Sequence, residues 1–208
     1  MAMDFKKVFR EQYQPTTTPS IIEIPTMPVI RVDGAGDPNT SEDYRSAIEV
    51  LYALSYAIKM GNKDTLDYVV PPLEGLWTID GELPGPGGVV ADKARFVWTS
   101  LIRQPDFVDS SVFENAVEAV ARKKPKLDAS TARLEMLDEG LCVQVMHIGP
   151  YDTESTTIAK LDPFAVDHGY VIDLSPMRRH HEIYLSDPRR TEADKMKTII
   201  RHPVRRAR

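Results

Sequence analysis

The chain has 208 residues, with 26 lysines and arginines against 31 aspartates and glutamates, for a net charge of −5. That acidic balance argues against a general nucleic-acid binder, which needs a basic face to neutralise phosphates. The single cysteine, Cys142, excludes an internal disulfide framework and any cysteine-built zinc cluster.

The N-terminal MAMDFKKVFREQYQP carries charges where a signal peptide needs an apolar stretch, and no run approaches a membrane span. A reducing cytoplasm is therefore the expected compartment. These first residues mix charge and aromatics in the manner of a short helix or arm. Residues 19–32 (PSIIEIPTMPVIRV) are β-branched and broken by Pro25 and Pro28, which predicts two short strand pieces with a bend. The DGAG that follows reads as a turn. Thr40 and Asp43 have capping-box spacing, and Ala47, Leu51, Leu54 and Ile58 form the apolar stripe of a helix that Gly61 stops. Tyr44, Ile48, Tyr52 and Tyr56 form an adjacent row.

Two strands are predicted at 73–79 (LEGLWTI) and 95–102 (RFVWTSLI). The stretch between them, 80–93, is too rich in glycine and proline for regular structure and reads as a mobile connection. Ser111 and Glu114 open a second helix with Phe113, Ala116, Val117 and Val120 on its buried stripe. It ends in the cations Arg122–Lys124, which suit the negative end of the helix dipole.

After Pro125 the order repeats. RLEM at 133–136 mirrors IIEI at 21–24, and each is followed by a strand, Val29–Val32 or Val143–Ile148, and a glycine turn. A helical stretch at about 156–167 contains Pro163, which predicts a kink or a late start. Strands at His181–Leu185 and Thr198–His202 close the order, and the last residues, RHPVRRAR, read as a solvated tail. The expected architecture is a single α+β domain over residues 1–208. Its pseudo-repeats, about 19–105 and 130–204, are duplicated β-α-β-β halves sharing one antiparallel sheet, joined by a helix at about 110–124.

The stretch 179–188, RHHEIYLSDP, carries the chemistry. On a strand, side chains alternate between faces, so Ile183 and Leu185 share one face while His180, Glu182 and Tyr184 share the other. A carboxylate placed among apolar residues can hold an organic cation or act as a general base. The bland alternative is an exposed glutamate, or an ion pair with an arginine such as Arg103. Trp77 and Trp98 lie on neighbouring strands, with Tyr52 and Tyr56 on the preceding helix. Aromatic faces beside one acidic group suit flat, lipophilic cations, and a core position is the competing reading for both tryptophans. His147, His180 and Glu182 lack the spacing of a metal motif, and no nucleophile elbow or phosphate loop is present, so neither metal nor cofactor is expected.

The stretches DYVVPPLEGLW, RFVWTSLIRQPDFV, LEMLDEGLCVQVMHIGPYD, RRHHEIYLSDPRR and KTIIRHPV, with FKKVFREQYQP at the start, run in order over nearly the whole chain. In them the chain resembles the stand-alone GyrI-like small-molecule-binding proteins, relatives of the effector-binding domains of MerR-class multidrug regulators. The resemblance implies helices on one face of the sheet and a ligand cavity on its concave side, between the halves. It places the cavity's acidic residue at Glu182. Its aromatic walls fall to Trp77, Trp98, Tyr52, Tyr184 and Tyr151, with Tyr56 and His147 as further ligand-contact candidates. The implied function is cytoplasmic binding of diverse hydrophobic, often cationic compounds, giving drug tolerance by sequestration. Some members instead hydrolyse cyclopropane-bearing DNA alkylators, which would make Glu182 and Tyr184 catalytic, and the founding member modulates DNA gyrase. Neither a membrane nor direct nucleic-acid contact is implied.

Overall fold

The computed structural model describes residues 2–79 and 92–207, so most of the connection expected at 80–93 lies outside the described residues. The N-terminal arm consists of β1 (Met3–Asp4), α1 (Phe5–Val8) and α2 (Arg10–Tyr13). The first half follows with β2 (Ser20–Ile24), β3 (Met27–Ala35), α3 (Glu42–Gly61), β4 (Tyr68–Val69), β5 (Leu73–Ile79) and β6 (Phe96–Arg103). Helix α4 (Ser110–Lys123) leads to the second half: β7 (Arg133–Leu137), β8 (Gly140–Ile148), α5 (Ser155–Ile158), α6 (Leu161–Asp167), β9 (Tyr170–Ile172), β10 (His180–Tyr184) and β11 (Lys197–Arg206).

One curled antiparallel sheet runs β2-β8-β11-β10-β5-β6-β3-β7, with β9 added along the end of β11. This order is symmetric about the β5–β10 junction. Each half supplies three adjacent strands, and its lead strand crosses to the other half: β2 pairs β8, and β7 pairs β3. Pro25 and Thr26 make the bend between β2 and β3, as the prolines predict.

The sheet residues alternate between two covered faces. On one, Ile30, Val32, Trp98 and Ile102 pack beneath Leu51, Leu54 and Ile58 of α3 and Ala116 and Val120 of α4. Full burial of each such leucine or isoleucine contributes about 2 kcal/mol. In the second half Leu161 and Ala165 of α6 cover Val143, Val145, Ile200 and Val204. The opposite face holds Ile24, Met27, Val29, Leu76, Leu101 and Cys142, and the arm seats Phe5 and Tyr13 beside Ile183 and Ile199.

Several local expectations are corrected. Ser41, not Thr40, caps α3, accepting from the Tyr44 N–H, and Asp109, not Ser111, caps α4 through the Val112 N–H. The strand β3 continues through the expected DGAG turn as far as Ala35. Gly34 allows this, because a Cβ there would stand 2.2 Å from the Trp98 ring that crosses the strand. The stretch around Pro163 divides into α5 and α6, and the proline falls in the first turn of α6, where a missing N–H costs nothing. The tail is not solvated over its whole length. β11 runs to Arg206 because β9 pairs with Val204–Arg206, and Arg205 reaches Asp173 at 3.3 Å.

Arg103 is no partner of Glu182. It lies on the opposite face, donating to Gln12 Oε1 at 2.8 Å with its guanidinium 4.1 Å from the Phe9 ring centroid. That face also buries a charge cluster. His181 Nδ1 lies 2.7 Å from Glu139 Oε1 and its Nε2 lies 3.0 Å from Glu74 Oε2. Arg201 donates to Glu139 at 2.8 Å and to the Gln12 carbonyl in the arm at 3.1 Å. Burial alone would raise the Glu139 carboxyl, but the His181 and Arg201 charges outweigh it and hold it at about 2. Burial likewise opposes a charged His181, yet Glu139 and Glu74 raise its imidazole to about 9.

Removing one member of such a cluster leaves an uncompensated buried charge, at a cost of about 3–5 kcal/mol. A histidine whose folded value lies above its ordinary 6.5 stabilises fully below that pH and loses the contribution as pH rises toward 9. A depressed carboxyl stabilises fully above its ordinary 4.5 and loses the contribution as pH falls toward 2. The stability difference between wild type and Glu139→Gln in urea unfolding is therefore expected to be widest between pH 4.5 and 6.5 and to narrow toward pH 9.

Candidate functional site

A cavity of about 1160 Å³ lies on the helix-bearing side of the sheet, over the central strands β5 and β10. Tyr44 and Ile48 of α3 line one side, Glu154 and Ile158 the other, and Trp77, Glu182 and Tyr184 come from the strands. The alternation of β10 produces this arrangement. His180, Glu182 and Tyr184 turn toward the cavity side, while His181 and Ile183 enter the opposite face.

Glu182 is the point on which the donors converge, and its side chain is 15% exposed. His180 Nε2 donates to Oε1 at 2.9 Å, and the Tyr184 hydroxyl donates to Oε2 at 2.7 Å. Trp77 Nε1–H in turn donates to the Tyr184 oxygen at 3.0 Å. Gly75 makes room for that bond: a Cβ there would stand 2.6 Å from Trp77 Nε1 and 2.9 Å from the Tyr184 hydroxyl. Behind His180, its Nδ1 lies 2.7 Å from His202 Nε2.

Glu154 and Glu182 both line this cavity, where the charge of Glu182 bears on the buried Glu154 carboxyl. Burial, then the Glu182 charge, raises that carboxyl far above the carboxylate range. Burial also acts upward on Glu182, but the hydrogen bonds from His180 and Tyr184 keep it below its ordinary value. One cavity thus holds a carboxyl pushed toward its protonated form and another held toward its ionised form. Burial and Glu182 push Tyr44 up to about 12. Burial, Glu154 and Glu182 do the same for Tyr151. Burial and Glu182 raise Tyr184 further, so all three phenols are donors and none is a base.

The remaining candidates separate. Tyr151 packs edge-on to Tyr184 with centroids 5.7 Å apart. Tyr52 and Tyr56 line the rim as a stacked pair on the outer side of α3, 36% and 52% exposed. Trp98 does not line the cavity: it is 1% exposed in the core, edge-on to Tyr44 at 5.0 Å. His147 does not line it either, because its ring is held by Thr157 Oγ1 at 2.9 Å and the Pro150 carbonyl at 3.1 Å, tying α5 to β8. Sequence reasoning missed Glu154, Tyr44 and His202. Glu154 lies in GPYDTEST, where nothing signals burial; the available clue was its place at the helix start following the second glycine turn. Among the described residues no group of three or more His, Cys, Asp or Glu is arranged to hold a metal, and no helix is long and apolar enough to cross a membrane.

Residues 17–205 match the model of the GyrI-like small molecule binding domain. No curated protein sequence matches the chain. Among solved structures, an uncharacterized conserved protein from Listeria innocua is 43% identical over 98% of this chain and all of its own, with a TM-score of 0.91. A hydrolase from Listeria innocua is 42% identical over the same shares, with a TM-score of 0.87. The EcmrR C-terminal domain, 13% identical over 91% of this chain and 98% of its own, shares the fold with a TM-score of 0.54.

The raised Glu154 carboxyl predicts a proton that is directly observable. Infrared difference spectra at neutral pH should contain the carbonyl band of a protonated carboxyl, absent in Glu154→Gln and retained in Glu139→Gln. A spectrum with no such band in the wild type would mean that the two carboxylates share no proton.

Proposed function

Because the chain belongs to the GyrI-like small-molecule-binding family, we propose that its cavity is the active site of a hydrolase that opens a strained, electrophilic three-membered ring, of the cyclopropane kind, by adding water. One observation carries this reading: Glu182 and Glu154 line one aromatic-walled cavity, and their surroundings drive the two carboxyls in opposite directions. The likeness to the hydrolase from Listeria innocua supports it.

Water bound against Glu182 attacks a ring carbon. A carbon–oxygen bond forms as a ring carbon–carbon bond breaks, and the released electron pair runs to an electron-accepting oxygen of the substrate. The Glu154 proton goes to that oxygen, and the water proton goes to Glu182. Losing the Glu154 proton puts two negative charges in contact, which strengthens Glu182 as a base at the moment it is needed. Return of the proton from Glu182 to Glu154, which lines the same cavity, restores the starting state. The Tyr184 hydroxyl, a donor fixed by Trp77, holds Glu182 in place. Relief of ring strain supplies much of the driving force, so few groups suffice.

With a cyclopropane-bearing alkylator as substrate, Glu182→Gln and Glu154→Gln should each lower kcat about a hundredfold or more. Tyr184→Phe should lower it about tenfold, with the quenching of Trp77 by bound substrate retained in all three. Product is to be identified by mass spectrometry in ¹⁸O-labelled water; an absence of label in the ring-opened alcohol would overturn the reading.

A second reading, sequestration of flat lipophilic cations, is favoured by the net negative charge of Glu182 beside the rings of Tyr44, Trp77 and Phe96. It predicts saturable binding of a rhodamine dye, weakened about tenfold in Glu182→Gln, a difference of about 1.4 kcal/mol. Stoichiometric binding of the alkylator without product would favour this reading over the hydrolase.

A further inference from the structure

Two histidines behind Glu182 take no part in the addition of water, yet their hydrogen bonds run in one direction. Glu182 Oε1 is a carboxylate oxygen and only accepts, so the His180 Nε2 that lies 2.9 Å away carries a hydrogen. A neutral His180 then has a bare Nδ1. His202 Nε2, 2.7 Å from that atom, must supply the hydrogen between them. A neutral His202 is left with a bare Nδ1, and that atom is buried with no hydrogen-bond partner. Against a neutral His180 the opposite tautomer of His202 would set two lone pairs against each other at 2.7 Å, and a doubly protonated His180 would force the His202 hydrogen onto the buried Nδ1, where no acceptor meets it. The unpartnered acceptor is thus the end of a donor chain whose direction is fixed at Glu182.

We propose that His202 is a positioning residue for the hydrolysis: by donating to His180 it locks the His180 tautomer, and so keeps Glu182 ionised and aimed at the water. The proposal rests on the hydrolase reading for its catalytic consequence, but its structural content stands apart from it. Without the His202 donor, His180 is free to carry its hydrogen on Nδ1 and to face Glu182 with a bare Nε2. Glu182 then has to take a proton to satisfy that nitrogen, and a protonated Glu182 is no base.

The other groups around Glu182 do not substitute. Tyr184, on its own strand, donates to the other oxygen. Glu154, ahead of α5, has its carboxyl raised by burial and by the Glu182 charge. Tyr44 of α3 and Tyr151 are phenols kept protonated by burial and by the glutamates. Thr198 of β11 bears on Glu154, as does the charge of Asp152. Burial pushes the His202 imidazole well below its ordinary range, which keeps it neutral.

The test combines imidazole nitrogen NMR with kinetics. Long-range ¹H–¹⁵N spectra of the labelled wild type should show both His180 and His202 as neutral Nε2–H tautomers. His202→Leu should convert His180 to the Nδ1–H form or to a tautomer mixture. It should lower kcat about tenfold, the usual scale for removing a partner that orients a functional imidazole, and move the acid limb of the kcat–pH profile upward. Substrate affinity, read by Trp77 quenching, should change less than about twofold. His202→Gln, whose side-chain N–H stands in for Nε2–H, should restore both the His180 tautomer and most of kcat.

A wild-type spectrum with an Nδ1–H His202 or a doubly protonated His180 at the pH of maximal activity would overturn the proposal. So would His202→Leu with an unchanged kcat and tautomer. The wild-type spectrum decides even if the leucine variant does not fold. If the wild type turns nothing over, the hydrolase reading fails, while the spectra still establish whether His202 sets the state of His180.

Discussion

A carboxylate largely removed from water is tolerated only where donors or a counter-charge replace its hydration. Glu182 sets that demand at the centre of the sheet, and much of the surrounding sequence answers it. His180 and Tyr184, two positions to either side on the same strand, supply one hydrogen each. Trp77, on the adjacent strand β5, fixes the tyrosine, and Gly75 leaves the space for it. Glu154 arrives from the other side of the cavity with its carboxyl pushed toward the protonated form by burial and by Glu182. No arginine or lysine balances the charge among these partners. The negative charge therefore stays available to a ligand or to a reacting water, which a buried ion pair would have consumed.

The contrast with the reverse side of the same strand is instructive. His181, one residue away, enters a cluster in which Glu139 and Arg201 carry full opposite charges. That cluster fastens the N-terminal arm to the sheet through the Gln12 carbonyl and Tyr13, whose hydroxyl donates to Glu74 at 3.2 Å. One face of β10 thus compensates its charges and is built for rigidity. The other gathers hydrogen-bond donors around one carboxylate and opens on the cavity. Their separation rests on nothing more than the two-residue period of a strand, so a slip of one residue would exchange the two environments.

That period is why so much of the site is legible from sequence. HHEIY assigns His180, Glu182 and Tyr184 to one face and Ile183 to the other without any tertiary information, and the repeated strand–helix–strand–strand order announces the duplicated fold. What escapes is whatever depends on long-range packing. Glu154 sits in a polar stretch that reads as an exposed helix start, and only the meeting of the halves buries it. Trp98 and Trp77 look equivalent on neighbouring strands. The bare backbone of Gly34 draws Trp98 into the core, while Gly75 lets Trp77 turn its N–H to Tyr184. The C-terminal arginines look like a tail because the pairing of β9 with β11 bridges residues too far apart for local pattern to register.

The crossing of the lead strands bears on how such a chain comes apart and how it came together. Because β2 completes the sheet of the second half and β7 that of the first, a cut after α4 yields no self-sufficient fragment. Each piece would keep three strands and offer its fourth to a partner. Two copies of a single half could satisfy one another by returning the exchange, so the fused chain has the form of a strand-swapped pair made permanent by one linking helix. A pair of identical halves would carry two equivalent central strands across the seam. Fusion frees them to differ, and here they do: β5 keeps the glycine and the tryptophan, and β10 the glutamate between histidine and tyrosine. The asymmetry of the cavity floor is open to a fused chain and closed to a pair of identical halves.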